Sequence, residues 1–198
     1  MHNNYILIGF PKCGNTSINY MFQSLDIPFL QHWNGTWNTG WLPQQPQDQI
    51  VDLQPNTAIA LGTMGQIDMF DEYYKQYPDA LYILNYRPIR NYLISVYKHT
   101  SIEKTWDWPI TEDVVNHRIN KIQRHYNRVD KFFEDKPLLR LNIESSNWTA
   151  ELTKAVTGQV VDIPNVHVNK REVSDDLMKI ITKTVDSALD TGYKYYES

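Results

Sequence analysis

Residues 9 to 17 read GFPKCGNTS, with Gly9 and Gly14 five positions apart, Lys12 between them, and Thr16 and Ser17 just after. Backbone N–H groups in a glycine-containing turn that opens a helix form a concave anion site, to which the helix dipole adds favourable potential. In the phosphate-cradling pattern GxxxxGK[ST], Gly9 and Gly14 take the glycine positions and Thr16 the hydroxyl. The lysine position holds Asn15, and the loop's only lysine is Lys12. Where ATP or GTP is the substrate, the lysine after the last glycine reaches the terminal phosphates and the hydroxyl binds magnesium, usually helped by an acidic residue at a strand end. Such a strand-end aspartate is missing from every strand expected below. The chemistry expected of the loop is therefore capture of a phosphate-like anion by a cation inside the loop; the plainer alternative is an ordinary strand-to-helix turn.

A second group lies in NYRPIRNYLISVYKH, where Arg87 follows an apolar run and Ser95 comes eight residues later. Residues seven or eight apart on a helix share a face, which would let a serine help an arginine hold one phosphate. Arg90 is read as structural, paired with a nearby carboxylate. Cys13 is read as a small, exposed loop residue without a redox role, because no neighbouring acid or base would activate its thiol.

PKCGNTS resembles the 5′-phosphosulfate loop of the sulfotransferases that use 3′-phosphoadenosine 5′-phosphosulfate (PAPS), which reads like PKSGTT, with Cys13 for serine and Asn15 for threonine. Arg87 and Ser95 are similar to that family's 3′-phosphate pair. Pro88 follows the arginine directly, where the family more often has one residue between, so Arg87 and Arg90 stand as alternatives for this contact. IPNVHVNKR resembles the family's C-terminal loop and places Lys170 or Arg171 near the 3′-phosphate. The resemblance implies a P-loop-like fold and PAPS as co-substrate, with no metal. It implies that Lys12 meets the bridging oxygen, and that the loop residues Cys13, Gly14, Asn15, Thr16 and Ser17 wrap the phosphate.

Sulfuryl transfer needs in-line attack by an acceptor, stabilisation of charge on the leaving phosphate, and usually a base. The resemblance assigns the second task to Lys12. Cytosolic members of the family carry a histidine near the end of the third strand, where AIALGTMG offers only Thr63; other branches use a carboxylate after the second strand. In FLQHWNG the titratable residue at that place is His32, with an unperturbed pKa of about 6.5 suited to a base; its alternative role is to tie down a loop. His99, His117, His125 and His167 are read as structural or loop-anchoring. Trp33, Trp37 and Trp41 follow His32 at four-residue spacing, and Trp106 and Trp108 lie in another loop. Trp33 and Trp37 are taken as an acceptor platform, since flat indole faces suit a sugar ring; the alternative is that the tryptophans pin loops to the core. A carbohydrate hydroxyl is the favoured acceptor, with an amine left open. The rival readings are a magnesium–ATP kinase with an aberrant loop and a non-catalytic nucleotide- or sugar-binding module.

The elements that must hold these residues alternate. Short apolar runs at 5–9, 28–30, 57–61, 81–86 and 138–141 read as strands. Helical spacing or helix-start signals mark 16–25, 67–76, 88–98, 111–133, 149–156 and 174–189, with Pro88 at a first-turn position, Gly158 closing the fifth and Gly192 the last. Residues 31–56 read as a long surface loop, a length commonly tied to function. Alternating strands and short connections predict an α/β, three-layer fold, a central parallel β-sheet flanked by helices on both faces. Ligands of such sheets sit at the strands' carboxyl ends, where both the glycine loop and Arg87 fall.

Bulk properties agree with one core. With 198 residues, 41% of them hydrophobic and 13% aromatic, the chain is expected to form one domain spanning 1–198. A net charge of −4 argues against nucleic acid or an anionic membrane as partner, while leaving room for a local anion pocket. The single cysteine allows no internal disulfide or cysteine metal cluster, which fits a reducing cytoplasm. The first residues, MHNNYILIGF, lack a signal-peptide pattern, and nothing approaches the roughly 20 apolar residues of a membrane span.

Overall fold

The computed structural model describes residues 2–30, 49–103, 110–163 and 173–189. They fall into two compact units, one formed by Met1–Tyr86 with Phe132–Val168, the other by Arg87–Lys131 with Asn169–Ser198.

The first unit is an α/β structure around an all-parallel, five-stranded sheet. Its strands are β1 (Asn4–Leu7), β2 (Phe29–Leu30), β3 (Thr57–Ala60), β4 (Leu81–Tyr86) and β5 (Leu139–Asn142), in the order β2-β3-β1-β4-β5. The central strands are short and, after a polar first residue in Asn4 and Thr57, apolar because both faces are covered: every residue of β1 and β3 is buried. Tyr5 and Leu7 of β1, with Leu81 and Ile83 of β4, join one apolar cluster with Ile18, Met21 and Phe22 of α1 (Asn15–Ser24). Trp148, Leu152 and Val156 of α6 (Trp148–Thr157) complete it. Tyr82 has the opposite parity on β4 and points to the other face. There its ring lies 5.3 Å from Tyr74 of α3 (Phe70–Gln76) and 5.3 Å from Phe133.

The expected elements recur with physically explicable differences. β1 ends at Leu7 rather than at Gly9: the Ile8 N–H still reaches the Ile83 carbonyl at 2.9 Å, but the Gly9 N–H turns to a side chain. The expected helix over 67–76 is a 3₁₀ turn, Ile67–Met69, followed by α3, and a short helix α2 (Leu61–Met64) comes before it. α3 anchors the segment before β3 through two tyrosines. The Tyr73 hydroxyl donates to Gln66 Oε1 at 2.7 Å and accepts the Val51 N–H at 3.0 Å, while the Tyr77 hydroxyl accepts the Leu53 N–H at 2.8 Å.

The second unit is helical, built from α4 (Ile89–Glu103), α5 (Glu112–Phe132) to Lys131, and α7 (Asp175–Leu189). Tyr92, Leu93, Val96 and Tyr97 of α4, Val115, Ile119 and Ile122 of α5, and Ile181 and Val185 of α7 are buried at the helical spacing that made these segments legible. Polar ties hold α7 at its far end: Arg90 to Asp186 at 2.7 Å, and the Ser187 hydroxyl to Glu112 at 2.7 Å. Among the described residues no helix is long and apolar enough to cross a membrane.

Candidate functional site

The order β2-β3-β1-β4-β5 makes the carboxyl ends of β1 and β4 the point where connections diverge. The chain leaves β1 toward β2 on one side and leaves β4 toward β5 on the other. In open parallel sheets such a divergence creates a crevice at the strands' carboxyl edge. The GFPKCGNTS loop rises from β1 at that point.

The loop's shape follows from its backbone. Lys12 and Gly14 both take left-handed conformations, with φ 71° and φ 79°, and a Cys13 N–H bond to the Phe10 carbonyl at 3.2 Å closes the turn that contains Lys12. Gly14 is the residue before α1, and the Ile18 N–H bonds to its carbonyl at 2.9 Å. No side chain caps α1 and no acidic residue sits in its first turn, so its positive end keeps its potential for an outside anion. Lys12, Gly14, Thr16 and Ser17 are partly exposed.

Cys13 and Asn15 alternate with these and are buried. That corrects the expectation of an exposed thiol: Cys13 is fully buried. The cause is Asn85, the penultimate residue of β4, itself fully buried. Asn85 Oδ1 accepts the Gly9 N–H at 3.1 Å, and its Nδ2 donates to the Cys13 carbonyl at 2.7 Å and to Asn15 Oδ1 at 2.7 Å. One amide therefore grips the loop at its start, its middle and its exit into α1. Gly9 is required by the same closeness, since a Cβ there would lie 1.9 Å from the Asn85 carbonyl oxygen. On the β3 side, Thr63 donates its hydroxyl to the Ala60 carbonyl at 2.9 Å.

Asn85 was not among the residues singled out by sequence, although a signal existed. It is the one amide in the otherwise apolar or aromatic strand LYILNY, and a polar side chain buried in such a strand must find hydrogen-bond partners.

In the second unit Arg87 and Ser95 are both partly exposed, Ser95 on α4. Arg87 precedes the helix, whose first turn begins with the Tyr92 N–H bonding to the Pro88 carbonyl at 2.9 Å, so helical spacing does not relate it to Ser95. Arg90 pairs with a carboxylate as the sequence suggested: Nε reaches Asp186 Oδ1 at 2.7 Å and Nη2 reaches Oδ2 at 3.3 Å. This pairing raises the Arg90 pKa and holds its guanidinium against α7. His125 is buried on α5. His32, Trp33, Trp37, Trp41, Trp106, Trp108, His167, Lys170, Arg171 and Gly192 lie outside the described residues. Among the described residues no three His, Cys, Asp or Glu side chains gather as a metal site would require.

Fold and loop together define an α/β protein with an open, all-parallel sheet and a glycine loop at its switch point. Comparison with protein-family models, with curated proteins and with solved structures finds no match.

Proposed function

We propose that the chain is a sulfotransferase of three-layer, P-loop-like architecture. It moves a sulfuryl group from PAPS to an acceptor hydroxyl or amine, without a metal. The observation that carries the reading is the position of the cation. Lys12 stands inside the loop in a left-handed conformation, while Asn15, at the place of a triphosphate-binding lysine, is buried and bound to Asn85.

Each residue's role follows from its chemistry. N–H groups of Gly14, Asn15, Thr16 and Ser17, with the two hydroxyls, take the 5′-phosphate; Asn15 supplies backbone alone, since its side chain faces inward, and Cys13 shapes the turn, its N–H held by Phe10 and its carbonyl by Asn85. The Lys12 ammonium stabilises charge on the bridging oxygen as the sulfur–oxygen bond to the phosphate breaks and the acceptor's bond to sulfur forms. His32 takes the acceptor's proton. By the resemblance Arg87 and Ser95 hold the 3′-phosphate, with Lys170 or Arg171 closing over it. Trp33 and Trp37 receive the acceptor, for which a carbohydrate is favoured. A cytoplasmic setting, with neither nucleic acid nor membrane as partner, accompanies the reading.

Thermal unfolding with 3′-phosphoadenosine 5′-phosphate, compared with ATP plus magnesium, tests it. A ligand at a hundredfold excess over its dissociation constant adds about 2.7 kcal/mol of stability. The expected result is stabilisation by the 3′-phosphorylated nucleotide that ATP does not match. A preference for ATP with magnesium establishes a kinase instead. Stabilisation by the 3′-phosphorylated nucleotide with no transfer to any of a broad acceptor panel establishes a binding module.

A further inference from the structure

The Asn85 amide has one possible orientation. Its Oδ1 faces the Gly9 N–H, which can only donate, and its Nδ2 faces the Cys13 carbonyl, which can only accept. Asn15 must then present its own oxygen to Nδ2, and does so at 2.7 Å. With the Cys13 carbonyl drawn toward β4, the planar trans peptide that follows sends the Gly14 N–H the opposite way, out of the loop. The left-handed Gly14 then leads into the uncapped first turn of α1, so the N–H groups of Gly14 and of that turn form one donor set.

We propose that Asn85 is the positioning residue of the anion loop: it touches no ligand, but by holding the Cys13 carbonyl it aims the Gly14 N–H at the 5′-phosphate. The pair it makes with Asn15 also sets specificity. An aliphatic chain at position 15 would leave Asn85 Nδ2 with the Cys13 carbonyl as its single partner, so Asn15 is taken up in this pair and the cation comes from position 12. This rests on the functional reading above.

The test compares two nucleotides that differ by one phosphate. Isothermal titration of the full chain and of Asn85→Asp uses 3′-phosphoadenosine 5′-phosphate and adenosine 3′-phosphate, which lacks the 5′ group. The aspartate keeps the shape and the acceptor for Gly9 while losing the donor to Cys13, and because it also adds a charge that repels phosphate, Asn85→Leu is titrated beside it: the same selective loss in this uncharged variant is expected, and its absence overturns the proposal. The wild-type protein binds the doubly phosphorylated nucleotide more tightly, and Asn85→Asp loses about tenfold to a hundredfold of that advantage, the size of a charged hydrogen bond. Its affinity for adenosine 3′-phosphate stays unchanged, a split that general destabilisation does not produce. An undiminished advantage in a folded Asn85→Asp overturns the proposal, as does an equal loss for both ligands.

If the wild-type chain binds neither nucleotide, the sulfotransferase reading fails separately. The positioning role is then decided by inorganic phosphate followed on the Gly14 amide resonance. A shift in wild type that Asn85→Asp lacks supports it; an equal shift in both, or none in wild type, overturns it. If Asn85→Asp does not fold, amide exchange in the wild-type chain decides. Slow exchange at Gly9, with fast exchange at Gly14 that phosphate slows, is expected; a Gly14 amide already protected without phosphate overturns the proposal.

Discussion

Asn85 Nδ2 lies 2.7 Å from the carbonyl oxygen of Cys13, joining the end of β4 to the middle of the loop that leaves β1. The two residues are 72 apart in the chain, so the loop's form depends on a tertiary contact as well as on its own glycines. A fully buried amide with every hydrogen-bonding atom engaged is costly to disturb, because each abandoned partner loses both water and protein.

Gly9 is where that contact is most exposed to steric insult. A Cβ at this position meets the Asn85 carbonyl oxygen at 1.9 Å and its side-chain Oδ1 at 2.5 Å. Backbone cannot retreat as a flexible side chain can, so Gly9→Ala must force β1 and β4 apart. The expected loss of stability is about 3 kcal/mol, the upper part of the range for overpacking. Urea unfolding measures it, and a midpoint matching wild type would show that the strands spread freely.

Tyr73 predicts an alkaline limit to stability. Burial pushes its hydroxyl from the ordinary 10.0 up to about 12, while the Val51 N–H works in the opposite direction. The fold therefore prefers the neutral phenol. Its contribution is fully present below pH 10 and is lost as pH rises to about 12. Tyr82, which burial raises further, adds to the same loss. Tyr73→Phe should cost about 1–3 kcal/mol at neutral pH, leaving Val51 and Gln66 without this partner, and should flatten the fall in unfolding free energy above pH 10. Denaturation curves across that range check both parts; an unchanged alkaline slope in the variant would refute the assignment to Tyr73.

Much of the architecture was legible because the physics is local. LYILNY reads as a strand and is one over the same residues, 81–86, and the amphipathic stretches near 112–132 and 175–189 are helices within a residue or two. The turn from β1 into α1 was visible from its glycine spacing. Burial of Cys13 was not, because a cysteine in a polar loop looks exposed until Asn85 draws its backbone inward. β1 fell short of Gly9 for the same reason: a side chain from β4 replaced the ladder partner. The split of 67–76 into a 3₁₀ turn and α3 was hidden too, because the apolar spacing continues through both.

Arg90 and Arg87 make opposite predictions. Arg90 and Asp186 are each 47% exposed at the side chain, and such a pair contributes about 0.2–1 kcal/mol, screened by salt. Arg90→Ala should therefore lower stability slightly, less so at high salt, and leave affinity for 3′-phosphoadenosine 5′-phosphate unchanged. Arg87→Ala should weaken that affinity by about tenfold to a hundredfold, as loss of a charged hydrogen bond to phosphate does. Isothermal titration separates them, and a binding loss confined to Arg90→Ala would move the 3′-phosphate contact to that residue.

Lys12 carries the last prediction, because its backbone and its side chain pull in different directions. At φ 71° any side chain with a Cβ is strained, and an L-residue accepts this conformation at a cost of about 1–2 kcal/mol. Strain of this kind at a loop centre fits a residue kept for its ammonium rather than for the fold. Lys12→Ala and Lys12→Gly both remove the ammonium and differ only in the Cβ, so the comparison isolates the backbone. Glycine relieves the strain but gives the unfolded chain more freedom, and the balance should leave Lys12→Gly about 1 kcal/mol more stable than Lys12→Ala. Both should lose sulfuryl transfer from PAPS, since neither can follow charge onto the bridging oxygen. Equal stability of the two variants would show that the loop relaxes out of the left-handed region once the lysine is gone, and transfer surviving in either would remove Lys12 from the chemistry.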